Sequence, residues 1–187
     1  MTIREEFGVG RIETFPLPTD QDFLFGVLKD VFENHWREIV FGSLIQGAVF
    51  EIKTDRPPET IGLFDGYLTV HYGIWHFHVC IGPHKGNHKN PTPPELATHR
   101  RCARAEFYRL LNSDDTPRSW GLRLFNGGGE QQLTVFFPNP FLGENEKALK
   151  QPDWSRLSMW DDFRRRYLGL EPDPRDRSGK GVRCGGH

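Results

Sequence analysis

With 187 residues and a formal net charge of −1, the chain can bury a core of its own but carries no global positive field for nucleic acid, so any such surface would be a local patch. Hydrophobic residues make up 36% of it and aromatics 13%, so large rings supply much of the buried area. No apolar run approaches the roughly 20 residues a membrane helix needs, and the start, MTIREEFGVG, lacks the basic stretch and apolar run of a secretory signal.

The cysteines Cys80, Cys102 and Cys184 are odd in number and lack CxxC spacing, so no disulfide framework is implied and a reducing cytoplasm is the expected location. One α+β domain is expected over 1–170. From Glu171 the sequence is polar and rich in Pro and Gly, which predicts a mobile tail over 171–187.

The first predicted element is a helix over TDQDFLFGVLKDVFENHW, capped by Thr19, with Leu24, Val27, Leu28, Val31 and Phe32 on one stripe. His35 falls on the same stripe, as a core-edge histidine bonded to backbone. LIQGAVFEIK (44–53) reads as a strand with Ala48, Phe50 and Ile52 on one face.

Two tight turns then set three strands in register. Asp65-Gly66 pairs Phe64 with Tyr67, Leu63 with Leu68 and Ile61 with Val70. Gly73-Ile74 sets Tyr72 opposite Trp75, Val70 opposite Phe77 and Leu68 opposite Val79. One face comes out wholly apolar, and a one-residue slip would destroy that agreement.

PPELATHRRCARAEFYRLLNSDD predicts a second helix, with Leu96, Ala103, Phe107 and Leu110 inward. SWGLRLFN and QQLTVFF predict two strands joined by GGGE. PDWSRLSMWDDFRRRYLGL predicts a last helix with Leu157, Trp160, Phe163, Tyr167 and Leu168 on its apolar side. The architecture is thus α+β, a mainly antiparallel sheet of five or six strands packed on its apolar face by helices.

The same register fills the other face with imidazoles. His71 lies opposite His76, Thr69 opposite His78 and Tyr67 opposite Cys80, while Gly62 beside Thr69 leaves open space. His71, His76 and His78 are candidate ligands of one divalent transition metal, zinc, iron or copper, with Cys80 as a fourth donor. An open position on such an ion would support hydrolytic or hydration chemistry. His84 and His88 follow on a loop that could fold over the site.

On the predicted second helix, Arg101, Arg104 and Tyr108 share a face, with Arg100 adjacent. Guanidinium forks beside a phenol suit phosphate, carboxylate or a tetrapyrrole propionate. Arg164, Arg165 and Arg166 are expected at the surface beside Asp161 and Asp162. FNGGGEQQ lacks the Lys-Ser/Thr of a P-loop and reads as a hairpin loop. The CGGH terminus offers Cys184 and His187 as further donors.

His76-Phe77-His78 on an antiparallel strand, followed by Tyr108 on the predicted helix, resembles the replication-initiator and relaxase endonucleases that carry a His-hydrophobic-His motif. The resemblance spans about thirty residues. It implies His76 and His78 as ligands of a divalent ion and Tyr108 as the nucleophile toward single-stranded DNA.

Three readings follow: a small metal-binding protein, whether enzyme or carrier; a module binding haem or another anionic ligand through one histidine and the arginines; and a DNA-nicking enzyme.

Overall fold

The computed structural model describes residues 1–45, 47–143 and 146–180. Its elements in chain order are β1 (Thr2–Glu6), β2 (Gly10–Leu17), α1 (Gln21–Asn34), β3 (Val40–Gly42), β4 (Leu44–Ile45), β5 (Ala48–Val49), β6 (Thr60–Phe64), β7 (Tyr67–His71) and β8 (His76–Cys80). There follow β9 (Gly86–Asn87), β10 (Asn90–Pro91), α2 (Pro94–Arg100), β11 (Cys102–Leu111), β12 (Pro117–Asn126), β13 (Gln131–Phe136) and α3 (Ser158–Phe163). The fold is α+β. An antiparallel six-stranded sheet runs β1-β2-β11-β12-β13-β3, and a separate three-stranded sheet runs β6-β7-β8.

The chain, read above as one domain over 1–170, divides into two compact units. One comprises Met1–Phe15, Phe107–Leu122 and the chain from Phe136 onward; the other comprises Pro16–Glu106 and Arg123–Val135.

In the second unit, α1 begins at an Asp20 cap rather than Thr19, its carboxylate accepting from the Phe23 amide at 2.9 Å. The expected stripe of Leu24, Val27, Leu28, Val31 and Phe32 is buried. Phe32 meets Phe77 edge to face at 5.3 Å, which joins α1 to the apolar face of the three-stranded sheet. His35 is the C-cap: its amide reaches the Val31 carbonyl, and its ring pairs with Glu38.

The register of β6-β7-β8 is the one the turns dictated, including His71 opposite His76 and Thr69 opposite His78. Asp65 and Gly66 both adopt positive φ, 45° and 77°, as a two-residue hairpin turn of this hand requires. Gly66 could be nothing else, since an added Cβ would stand 2.5 Å from the Pro83 carbonyl oxygen. Leu68, Val70 and Val79 are buried, while Ile61, Leu63, Trp75 and Phe77 are half-buried.

The strand expected over 44–53 is replaced by the short hairpin β4–β5, leaving Phe50 and Ile52 exposed. The predicted second helix is likewise corrected. Only Pro94–Arg100 is helical, and Cys102–Leu111 is the long strand β11. A strand buried on both faces shows no alternation, so its apolar positions can mimic a helical period. Its buried Glu106 is neutralised by Arg123 at 2.6 Å, which allows polar residues where a strand reading of the sequence would not expect them.

The first unit packs Phe107, Phe137, Trp160 and Phe163 into one aromatic cluster. The last helix is shorter than predicted: a 3-10 turn (Trp154–Leu157) leads into α3, and one turn of π-helix (Arg164–Leu168) follows. Arg165 and Arg166 are exposed as expected, but Arg164 is buried.

The predicted mobile tail is corrected over 171–180. Pro174–Arg177 forms a 3-10 turn that delivers Asp176 to the interior. There Arg109 donates to Glu13 at 2.6 Å, to Asp176 at 2.7 Å and to Asp173 at 2.8 Å. The indoles of Trp120 and Trp160 each donate to Asp176 at 2.8 Å. Burial alone would lower Arg109; the surrounding carboxylates hold it above the usual arginine value. Cys184 and His187 lie outside the described residues.

Candidate functional site

The polar face of β6-β7-β8 is built by strand alternation from Gly62, Phe64, Tyr67, Thr69, His71, His76 and His78. His76 and His78 are exposed and His71 half-buried. Nothing lies within 4 Å of the place a Cβ would take on Gly62, so the floor beside Thr69 is bare. Phe64, at 84% exposure, stands as an apolar edge.

The three imidazoles are close but do not converge. His71 and His76 stack, with centroids 5.4 Å apart and planes 6° from parallel. The lone pairs of an imidazole lie in the ring plane, so two stacked rings direct them along parallel planes that share no common ion. His71 Nδ1 also accepts the Gly73 amide at 3.0 Å. Cys80 is buried, its thiol turned to the Gly82 carbonyl, and burial pushes that thiol above its ordinary value. Among the described residues, no group of three His, Cys, Asp or Glu side chains is placed to hold a metal ion.

His78 is held differently. Its Nδ1 pairs with Thr69 Oγ1 at 2.7 Å, which fixes the ring and leaves Nε2 without a partner from Thr69. It borders a recess of about 310 Å³ lined by Phe64, Asp65, Tyr67, Thr69, His78 and His84. That volume falls at the lower end of small-molecule pockets.

His84 does fold back onto this end of the sheet, as the loop was expected to allow. Asp65 accepts from its Nδ1 at 2.8 Å, so Nε2 is left to accept the Thr92 hydroxyl at 2.9 Å. Tyr67 meets the His84 ring edge to face at 4.8 Å. Asp65 also accepts the amides of Lys85 and Gly86 at 2.8 and 2.9 Å, and these bonds, led by the Lys85 amide, hold its carboxyl below the usual range. His88 is exposed on the neighbouring loop.

The arginine set is corrected. Arg101 caps α2, whereas Arg104 and Tyr108 lie on β11, so the shared helical face does not exist. Arg104 pairs with Glu106 at 2.8 Å. Tyr108 is buried, 2% exposed, where no phosphodiester could reach it, and the nucleophile expected from the endonuclease resemblance is absent. The arginine brought to the site is Arg100, whose Nη1 lies 3.4 Å from His84 Nε2. It is exposed and has no carboxylate within ion-pair distance among the described residues. Asp65 was legible only as a turn residue, because its contacts lie about twenty positions downstream.

No described helix is long and apolar enough to cross a membrane. The fold and face define an α+β protein with an imidazole-bearing sheet surface. The chain belongs to the family described as a family of unknown function (DUF7676), whose model matches residues 1–169. No curated protein matches. Among solved structures, a crystal structure of ChuX and a structure of the heme binding protein ChuX are similar at 14% identity and a TM-score of 0.44, each covering 74% of this chain and 68% of that one.

Proposed function

We propose that this face binds a flat, acid-bearing aromatic ligand of the haem type, with His78 as the ligating ring and Arg100 as partner of an acid group. The observation that carries the reading is a histidine fixed at one nitrogen by Thr69 and open at the other, with the bare floor at Gly62 on the far side of Thr69. With Thr69 Oγ1 accepting the Nδ1–H, the His78 Nε2 lone pair is available to an iron centre. A haem iron would supply the ligand-binding or redox chemistry. The chain's own part is to seat the ring, orient the imidazole and pair the acid.

Titration of the full chain with ferric haem tests this. A Soret band distinct from that of free haem is expected, with affinity at least tenfold lower in His78→Ala and weaker in Arg100→Ala. A spectrum identical to free haem at every ratio would reject the reading. The transition-metal reading of His71, His76, His78 and Cys80 rests on the nearness of the three rings, with centroids 5.4 and 4.8 Å apart along the row. It requires His71 and His76 to leave their stack, and zinc retention lost in His76→Ala/His78→Ala would support it.

A further inference from the structure

A second recess, of about 320 Å³, opens at the β7–β8 turn. Tyr72 follows His71 and so projects to the opposite face of the strand. Its ring stacks on Trp75 at 4.4 Å, and Tyr72 is 2% exposed. The Tyr72 hydroxyl and Thr54 Oγ1 are both buried and close enough to influence each other, yet neither meets hydrogen-bond geometry with the other or with any other protein atom. Burial pushes the phenol up to about 12, only partly opposed by the nearby Thr54 hydroxyl, so at neutral pH it is an uncharged O–H donor.

Buried hydroxyls are almost always paired, and leaving one unpaired is destabilising. Here two such groups lie beneath a recess that Trp75, Ile74 and Lys53 also line. Arg56 stands at the mouth. Its partner Asp55, at 3.1 Å, is as open to solvent as itself, and exposed pairs of this kind are readily exchanged. A recess of mixed polarity, with an indole at its side, hydroxyls beneath it and a guanidinium at its edge, has a definite chemical complement.

We infer that this recess is a second binding site, for a small aromatic acid carrying a polar group at the end opposite its carboxylate. The ring lies against Trp75, the carboxylate meets Arg56, and the distal group pairs with Tyr72 and Thr54. This site is separate from the imidazole face, so either can fail without the other.

Calorimetric titration with 4-hydroxybenzoate and with benzoate tests it. The hydroxylated acid should bind at least fivefold more tightly than benzoate. Tyr72→Phe should abolish that difference without lowering the melting temperature, and Arg56→Ala should weaken both acids. Equal affinity of the two acids, or no binding of either, overturns the inference. So does a Tyr72→Phe protein that melts clearly lower, because the phenol would then already hold an internal partner such as a trapped water.

Discussion

Asp176 meets Arg109 at 2.7 Å, the two side chains 0% and 1% exposed, and the same carboxylate takes both buried indole N–H groups. Removing one member of such a group leaves the others buried without compensation. Asp176→Asn keeps the shape and loses the charge, and should lower stability by about 3 kcal/mol or more. Urea unfolding followed by tryptophan fluorescence measures this; a change below about 1 kcal/mol would mean that Glu13 and Asp173 suffice for Arg109.

Gly62 offers a test that separates binding from folding. Its φ lies outside the left-handed region and nothing crowds its Cβ position, so Gly62→Val fits a strand and should hold or raise the melting temperature. The added methyls occupy the bare floor. Haem affinity should fall at least tenfold in a protein of undiminished stability, and unchanged affinity would move the ligand elsewhere.

The loop after β8 should loosen in acid. Asp65 has a folded-state carboxyl below its ordinary 3.8, so the stability it contributes is present above that value and is lost as pH falls through the lower folded one. Hydrogen exchange at the Lys85 and Gly86 amides should quicken below about pH 3.8 relative to the β7 amides. Asp65→Asn should exchange quickly there at neutral pH as well.

The described thiols should be inert. Burial raises Cys80 and pushes Cys102 up to about 11, so neither is appreciably thiolate at pH 8. Alkylation by iodoacetamide at that pH should leave both unmodified until denaturant is added. Prompt labelling of Cys80 in the folded chain would contradict its place beneath Tyr67.

The hairpin register was legible because two turns constrain it independently of any core. Asp65-Gly66 and Gly73 admit few geometries, and pairings counted outward from them could be checked against a single apolar face. What could not be read were contacts between distant positions. β11 looked helical because the partners that let Glu106 and Arg109 be buried, among them Arg123, Glu13 and Asp176, lie elsewhere in the chain. The segment 171–180 looked unstructured because its composition is polar, yet that polarity is what Arg109 requires. The hairpin β1–β2 has little sequence signature beyond the Gly-Val-Gly at its turn. Ring orientation also escaped: strand parity brought three histidines together, but not the stacking that keeps their lone pairs apart.

The turn at Asp65-Gly66 has a further consequence, for the order of events in folding. The Gly66 carbonyl accepts the amides of both Ile81 and Gly82, at 2.8 and 2.9 Å, so the first turn is completed by the chain that leaves the third strand. Neither hairpin of the meander therefore reaches its final geometry before the other. Contacts this short in sequence are expected to close early and quickly, so these strands are the expected nucleus of the unit. Gly66→Ala, strained at φ 77° and crowded by Pro83, would then be felt mainly in the refolding rate rather than the unfolding rate.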